Sequence, residues 1–285
     1  MQGAQYSIRK VNGEPIFEEE IYSIYPPEKK CQKEAIMTGH WNYCEDGECG
    51  PAHWPGADGQ QQSPIDIDLS FVERKDTVDG IKFTNYTKVL KGNITNNGHS
   101  VQITPTPGGE LPEIFGGGLD QVYRLVQYHF HWGSTESEGA EHTLGGLSYP
   151  AELHLVHQGV EDSSRLAVLG VFLKVGKGGE LLADVEQALK RIVEPNASTN
   201  LDAINIGSKL PKNTSSFFRY EGSLTTPPCS EIVTWTLFTD PLEITKEQLN
   251  LLRTLKDTEN KCLNRNFRPT QKINNRTVYH IVAKH

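Results

Sequence analysis

The chain has 285 residues, of which 36% are hydrophobic, and a formal net charge of −8 at neutral pH. A chain of this length fits one large β-rich domain or two smaller domains. The acidic balance argues against nucleic acid as the main partner, because phosphate binding needs a basic face. No run of about 18 apolar residues is present, so the sequence predicts no membrane-spanning helix.

The chain changes character after its N-terminal part. Residues 1–35 are charged and contain prolines, and we interpret them as an N-terminal extension. From Trp41 onward, short runs of strand-forming residues alternate with turn residues, and we assign residues 36–285 to one domain. The clearest predicted strands are residues 87–95, 99–104, 122–132, 151–160, 166–175 and 231–239. Asn96-Asn97-Gly98 is a tight-turn signal between the first two of them.

Helical periodicity is confined to two stretches. Apolar residues recur at helical spacing from Leu181 to Ile192. Thr245-Lys246-Glu247-Gln248 resembles a capping box that opens a second helix towards Leu255. The sequence therefore predicts a β-dominated α+β domain with a few peripheral helices.

The most informative pattern lies on two neighbouring predicted strands. Gln127, His129 and His131 are two residues apart and therefore share one face of a strand. Glu152 and His154 have the same spacing on the next strand. Pairing these strands would bring three imidazoles together, which is the ligand set of a catalytic zinc. Gln127 and Glu152 are placed to hold the other ring nitrogen of their histidines.

A bare His-X-His pattern is more often structural than metal-binding, and the third histidine strengthens the metal interpretation. His157 is three residues beyond His154, so it lies on the opposite strand face and is not expected to be a ligand. His142 follows Glu141 in a glycine-rich loop and is a candidate either to support the ligands or to pack.

Cysteines and glycosylation sequons favour a mature secreted glycoprotein. Cys31, Cys44 and Cys49 cluster in a region of the kind that disulfides hold in an oxidising compartment, with inert thiols as the alternative. An odd total of five cysteines leaves at least one thiol free or paired between chains. The Asn-X-Ser/Thr sequons are at Asn85, Asn93, Asn196, Asn213 and Asn275.

A series of ordered segments closely resembles the alpha class of carbonic anhydrases. They are Gly50-Pro51 with Trp54, Gln62 to Ile67, Asn96 to His99, Gln127 to Gly133, Glu141-His142, Ala151 to His157, Leu166 to Phe172, Tyr220 to Cys229 and Asn266 to Pro269. The resemblance covers roughly residues 40–284 and leaves out the first 35. It implies a large twisted, mostly antiparallel β-sheet with a central conical active-site cleft and zinc at its foot.

The resemblance also implies the chemistry. A Zn²⁺ ion held by His129, His131 and His154 would carry a hydroxide that attacks CO₂, giving bicarbonate and a proton in a reversible lyase reaction. Thr225 matches the family's gatekeeper, which accepts a hydrogen bond from the hydroxide and donates one to Glu141. The residues that match the substrate pocket are Val156, Val168, Leu224, Thr225, Thr226, Val233 and Trp235.

Proton release is implied at the rim of the cleft. His99 matches the family's proton shuttle, because an imidazole accepts protons from a water chain and passes them to buffer. The alternative is an ordinary turn histidine. Tyr43 and Asn97 match positions that order the water chain, and Gln102 stands where the family often has asparagine.

Secreted members of the family often pair the cysteine that matches Cys229 with one just before the Gln-Ser-Pro segment, which this chain lacks. We therefore expect a disulfide from Cys229 to Cys49 or Cys44.

Two functions are consistent with the sequence. The first is an active secreted carbonic anhydrase, acting on CO₂ and bicarbonate in acid–base balance or biomineralisation. The alternative is a catalytically inactive binding or matrix protein on the same fold. The three histidines, Glu141 and Thr225 favour the enzyme, and the oligomeric state is left open.

Overall fold

The computed structural model of the protein describes residues 40–76 and 78–284, and the backbone of residues 9–11 and 14–16. Its strands are β1 (Arg9–Val11), β2 (Glu14–Ile16), β3 (Asp66–Ile67), β4 (Glu73–Lys75), β5 (Ile81–Thr84), β6 (Val89–Asn96), β7 (Val101–Pro105), β8 (Glu113–Gly116), β9 (Tyr123–Trp132), β10 (Thr143–Leu144), β11 (Ala151–Gly159), β12 (Leu166–Val175), β13 (Ser198–Asn205), β14 (Ser216–Gly222), β15 (Val233–Ile244) and β16 (Tyr279–Val282). β1 and β2 pair with each other, and the rest of the predicted extension lies outside the described residues.

One twisted sheet of twelve strands dominates the described part of the chain. Its order is β13-β6-β7-β9-β11-β12-β15-β14-β16-β4, and β8 joins β5 to β9. Most neighbours are antiparallel, while β12 with β15 and β16 with β4 are parallel. A separate parallel pair is formed by β3 and β10. The predicted β-dominated, mostly antiparallel fold is confirmed.

The predicted strands correspond to β6, β7, β9, β11, β12 and β15, with the largest difference at β15. This strand continues to Ile244, five residues beyond the predicted end at residue 239. β11 is buried along almost its whole length, because β9 and β12 flank it and both of its faces are covered. It is therefore a central strand, and the polar residues on it are enclosed by the fold.

Helices are short and peripheral in the described residues. They are the 3-10 turns Pro51–His53 and Gly207–Lys209, α1 (Glu186–Leu189) and α2 (Lys246–Leu252). The capping box of α2 is confirmed: Gln248 N donates to Thr245 Oγ1 at 3.1 Å, and Thr245 N donates to Gln248 Oε1 at 3.4 Å. None of these helices is long and apolar enough to cross a membrane.

The predicted helix at residues 181–192 is wrong over most of its length, because only Glu186–Leu189 is α-helical. Tertiary hydrogen bonds explain the difference. The Asp184 carboxylate accepts from Asn205 N at 2.9 Å and from Lys209 Nζ at 2.7 Å. The carbonyl of Leu181, which a helix would pair with the N–H four residues on, instead accepts from Lys209 Nζ at 2.5 Å, and these residues form turns that still bury the apolar side chains whose spacing resembled a helix.

Side chains along β9 alternate between two faces of the sheet, with core residues on one face and polar residues on the other. Tyr128, Phe130 and Trp132 enter the main hydrophobic core. His129 and His131, between them, point to the opposite face of the sheet. A second apolar cluster, which includes Val156 and Trp235, lies apart from the main core. The site therefore sits on a sheet face that is only partly filled by apolar side chains.

The predicted disulfide from Cys229 is wrong, because Cys44, Cys229 and Cys262 all carry free thiols, whereas Cys49 does not. Cys49 is disulfide-bonded elsewhere, which leaves Cys229 without this partner. Cys229 is 1% exposed and is enclosed in a cluster with Tyr43 and Trp54, while Cys44 lies exposed in a turn.

Candidate metal centre

Three histidines meet where β9 pairs with β11. In the antiparallel register His129 lies opposite His154, and Glu152 lies opposite His131. The three ring centroids are 4.6–5.3 Å apart. One potential ligand atom from each ring lies within 4.8 Å of the others. The register alone therefore brings together the three histidines on which the metal hypothesis depends.

Each ring is oriented by a hydrogen bond through one nitrogen. His129 Nδ1 lies 2.9 Å from Gln127 Oε1, and His154 Nε2 lies 2.7 Å from Glu152 Oε1. His131 Nδ1 lies 2.7 Å from the backbone oxygen of Asn266. These oxygens only accept, so each of the three nitrogens must be the N–H. The lone pairs are left on Nε2 of His129, Nε2 of His131 and Nδ1 of His154.

Burial keeps the three imidazoles neutral. Desolvation, followed by the charges of neighbouring histidines, lowers the pKa of His131 to about 3 and that of His129 well below its ordinary value. Desolvation also lowers the pKa of His154, against the opposing charge of Glu152. Neutral imidazole is the form that binds metal ions.

Asn266 is a supporting residue whose role the sequence did not reveal. Its Oδ1 accepts from Trp132 N at 2.7 Å, and its Nδ2 donates to Phe130 O at 3.1 Å and to His99 O at 3.0 Å. Its own carbonyl then holds His131. The contact joins residues 135 positions apart through a backbone atom, so only its place in a family-like segment pointed to it.

Glu152 is the centre of a buried polar chain behind His154. Its Oε1 also lies 2.7 Å from His142 Nδ1, and its Oε2 accepts from His142 N at 2.9 Å. His142 Nε2 lies 2.7 Å from the Tyr220 hydroxyl, which lies 2.8 Å from Ser63 Oγ. Desolvation opposes ionisation of Glu152, yet the charges and hydrogen bonds of His142 and His154 hold its pKa well below its usual range. Glu152 is therefore a fixed carboxylate that orients His154. Both ring nitrogens of His142 are used in contacts with Glu152 and Tyr220.

His157 faces away from the cluster. Its Nε2 lies 2.6 Å from the Tyr86 hydroxyl, and its Nδ1 lies 3.0 Å from Leu155 O. Burial lowers its pKa to about 4. Both ring nitrogens are used in packing contacts, so His157 has no lone pair directed at the three histidines.

The Glu141 carboxylate faces the ligand nitrogens. Its Oε1 accepts from Arg268 N at 2.9 Å. Its Oε2 lies 3.4 Å from His131 Nε2 and 3.9 Å from His154 Nδ1. Among the described residues, neither Glu141 Oε2 nor His131 Nε2 has a partner with full hydrogen-bond geometry, although both are buried. Unsatisfied buried polar atoms are costly, and a cation held by the imidazoles would satisfy His131 Nε2 and place a positive charge near the Glu141 carboxylate.

The donor set fits zinc. Three neutral imidazoles match the preference of Zn²⁺ for nitrogen donors, and three protein ligands are the number that catalytic zinc sites use. The structure offers a second group of candidate ligands, His142, Glu152 and His154, but their nitrogens and oxygens already bond one another. The first group is therefore the metal-binding candidate.

Thr225 and Glu141 form the polar side of the site. Burial raises the pKa of Glu141 well above its usual value, and hydrogen bonds from Arg268 N and the Thr225 side chain oppose the rise. Thr225 is buried, so its hydroxyl is held in place next to this carboxylate. A nearby cation would further favour ionised Glu141.

An apolar wall continues from the histidines across three strands. Val156 on β11 lies opposite Val168 on β12, which lies opposite Trp235 on β15. The Trp235 ring centroid is 4.8 Å from that of His154. Val233 belongs to the same buried cluster, Leu224 packs against it, and Thr226 is half-buried nearby in sequence. The apolar wall therefore begins directly beside the ring of His154.

His99 and Asn97, which the resemblance implies at the rim of the cleft, both make contacts within the protein. The His99 ring stacks on Trp41 with centroids 3.7 Å apart and planes 7° apart. Burial, with a smaller effect from His40, lowers the pKa of His99 to about 4. Asn97 Oδ1 accepts from the backbone N–H of His99 at 2.9 Å, so this side chain closes the turn. In the stacked position His99 is neutral at physiological pH.

Two further rim predictions fall near the histidines. Gln102 lies opposite His129 in the β7–β9 register, and its Nε2 donates to Thr104 Oγ1 at 3.2 Å. Tyr43 is buried with its ring at the edge of Trp41, and burial followed by the charge of Glu141 raises its pKa. Both side chains are therefore already committed to contacts within the protein.

Comparisons with known proteins agree with this site. A family model described as eukaryotic-type carbonic anhydrase matches residues 49–282. A Caenorhabditis elegans protein named "Putative carbonic anhydrase 3" is 62% identical over 247 residues, which cover 87% of this chain and 100% of that protein. Human carbonic anhydrase 7 is 37% identical over 262 residues, which cover 85% of this chain and 98% of that protein. This chain therefore belongs to the eukaryotic-type carbonic anhydrase family and is an enzyme of that class.

Proposed function

We propose that this carbonic anhydrase hydrates CO₂ reversibly at a zinc ion held by His129 Nε2, His131 Nε2 and His154 Nδ1. The supporting observation is that three buried lone pairs converge beside the unsatisfied Oε2 of Glu141. Zinc lowers the pKa of a bound water and so supplies a nucleophile near neutral pH, a property for which carbonic anhydrases are the standard example.

Thr225 is proposed to orient the attacking oxygen. Its hydroxyl has one O–H, which donates a hydrogen bond to the Glu141 carboxylate. The hydroxyl oxygen is then left as an acceptor, so an attacking oxygen next to it would have to donate a hydrogen bond to Thr225. An oxygen held in this way would have its O–H directed at Thr225 and would be free to present a lone pair to the substrate. Glu141 is thus a positioning residue that acts through Thr225.

The apolar wall is proposed to receive CO₂. The CO₂ molecule has no charge and no net dipole. Its transfer from water to the apolar surface formed by Val156, Val168 and Trp235 therefore costs little. Because the wall begins at the His154 ring, CO₂ on it lies next to the metal ligands. Leu224 and Val233 extend this surface, and Thr226 lies at its border.

His99 is proposed to carry the product proton to solvent. A pKa of about 4 makes the stacked ring a poor acceptor at neutral pH. A water-exposed imidazole has a pKa near ~6.5, which suits exchange with buffer. We therefore propose that His99 leaves Trp41 for the cleft when it accepts a proton, while Tyr43, Asn97 and Gln102 border its path.

The inactive matrix-protein alternative is disfavoured by the same geometry. Gln127, Asn266 and Glu152 each hold one histidine with its lone pair free, an arrangement with no use in a purely structural site. The hydration reaction would serve acid–base balance or mineral deposition alike, and the described residues favour neither.

Secretion and N-glycosylation are proposed from the sequons. Asn196 and Asn275 are exposed, whereas Asn85, Asn93 and Asn213 are half-buried. Asn85 Nδ2 donates to Leu111 O at 3.2 Å, which occupies the atom that a glycan would modify. Asn196 and Asn275 are therefore the sites we expect to be modified.

Zinc should be necessary for activity. We expect elemental mass spectrometry to find one zinc ion per purified chain. CO₂ hydration measured by stopped flow should be lost after chelation and should recover when zinc is added. The His131→Ala variant should lose both zinc and activity, since it lacks one of three ligands. The matched control is His53→Ala, which removes an exposed histidine. A zinc-loaded native protein without hydration activity would contradict the proposal.

Loss of the Thr225 hydroxyl should slow the reaction without affecting the metal. For Thr225→Val, we expect kcat/KM for CO₂ to fall by roughly 10²-fold, the usual cost of removing one oriented polar contact from a transition state. Zinc content should not change, because Thr225 is not a ligand. Thr106→Val, at an exposed site, is the control. An unchanged kcat/KM in Thr225→Val would rule out the orienting role.

The position of His99 should control its pKa and the proton transfer. Trp41→Ala removes the stacking partner, so the protonated ring is desolvated less and the pKa should rise from about 4 towards ~6.5, as measured by NMR titration. His99→Ala should lower kcat in dilute buffer, at the lower end of the ~10²–10⁴-fold range for acid–base groups, and added imidazole should restore it. An unchanged kcat would assign proton transfer to another group.

Glycan occupancy tests which sequons the fold leaves accessible. When the chain is expressed behind a secretory signal in eukaryotic cells, we expect glycans at Asn196 and Asn275, removable by an N-glycosidase and located by peptide mass spectrometry. Asn196→Gln and Asn275→Gln should each remove one glycan, and Asn85→Gln should remove none. Occupancy at Asn85 alone would show that exposure does not select the sites.

A further inference from the structure

Two free thiols line one surface cavity beside His99. The cavity has a volume of about 280 Å³ and is bounded by residues 42–44 on one side and 257–265 on the other. Cys44 and Cys262 both line it, and both are exposed and unpaired. We propose that Cys44 and Cys262 form a disulfide bond with each other across this cavity by exchange with a small-molecule disulfide.

Side-chain contacts already join the two sides of the cavity. The Glu45 carboxylate, next to Cys44, contacts the Arg265 guanidinium, three residues beyond Cys262. His40 Nε2 lies 3.9 Å from Glu259 Oε1 on the same pair of segments. The two cysteines are therefore kept facing one cavity before any bond forms, which reduces the conformational cost of joining them.

Both cysteines lie in irregular backbone that can adjust. Cys44 opens a turn in which its carbonyl accepts from Gly47 N at 3.1 Å. Cys262 is held by an isolated bridge to Lys256 and by a hydrogen bond from Asn264 N to its carbonyl at 2.9 Å. A disulfide needs a Cα separation of about 5.5–6 Å, and exposed turns reach it at less cost than central strands do.

The other cysteine with a free thiol is a poor competitor. Cys229 is enclosed with Tyr43 and Trp54, and burial raises the pKa of its thiol. The thiolate is the attacking species, so Cys229 has neither access nor the reactive form. Cys49 is not a free thiol. Of the cysteines in the described part of the chain, Cys44 and Cys262 are thus the pair open to exchange.

The reaction balances with a small disulfide such as glutathione disulfide as the oxidant. One protein thiolate attacks a sulfur of that disulfide, which gives a mixed disulfide and releases one molecule of small thiol. The second protein thiolate attacks the protein sulfur of the mixed disulfide and releases the second molecule. Two protein thiols are oxidised to one disulfide, and one small disulfide is reduced to two thiols.

Peptide mapping tests the bond on the full chain. The protein is incubated with glutathione disulfide, alkylated without reduction and digested with trypsin and Glu-C, which cleaves at Glu45 and Glu48 and so separates Cys44 from Cys49. We expect a linked peptide pair containing Cys44 and Cys262 that disappears with dithiothreitol. Cys229 should be alkylated only after unfolding.

Three variants complete the test, with melting temperature as a second measurement. Oxidation should raise the melting temperature of the native chain, because a bond between distant residues restricts the unfolded state. Cys44→Ser and Cys262→Ser should abolish both the linked peptide and the rise, whereas Cys229→Ser should keep both. Glutathione attached separately to Cys44 and Cys262 in the native chain, or a linked peptide containing Cys229, would overturn the proposal. Neither measurement depends on zinc or activity.

Discussion

The pairing of β9 with β11 is the constraint on which the rest of the site depends. In this register His129 lies opposite His154, while Tyr128 and Phe130 enter the core on the other face. A slip of one residue would turn the histidines into the core and the aromatic rings into the cleft. Burying each large aromatic side chain is worth about 1.5–3 kcal/mol, so hydrophobic packing on one face specifies the metal ligands on the other. The fold can therefore form the ligand set before any metal is present.

A second requirement is that every ring must present the correct nitrogen. Gln127, Asn266 and Glu152 meet it with three different chemical groups: a side-chain amide, a backbone carbonyl and a carboxylate. The carboxylate is the most constrained of the three, because the hydrogen bonds of His142 fix it from behind. A metal ion that binds such a site does not have to order its ligands, so little of its binding free energy is lost to conformational entropy.

The sequence was informative where the determining interactions are local and less so where they are distant. Strand periodicity brought His129, His131 and His154 together because side chains alternate along any strand. For His131 alone, the choice of ring nitrogen depends on Asn266, 135 residues away, which no local pattern encodes. The helix predicted at residues 181–192 failed because the Leu181 carbonyl accepts from the distant Lys209 Nζ instead of from the backbone N–H four residues on. The Cys229 disulfide failed because Cys49 is bonded elsewhere and Cys44 lies in an exposed turn, while Cys229 is enclosed in a buried aromatic cluster.

The foot and the rim of the cleft differ in how firmly they are held. Ligand histidines lie on central strands with both neighbours paired, whereas His99 depends on a stack with Trp41 in a segment without regular secondary structure. Cys44 lies three residues beyond Trp41 on that segment. A bond from Cys44 to Cys262 would therefore fix the segment that carries the stacking partner of the proposed proton shuttle. Because burial by Trp41 determines whether His99 is neutral or can accept a proton, oxidation at the rim and proton release from the foot would be coupled through one indole ring.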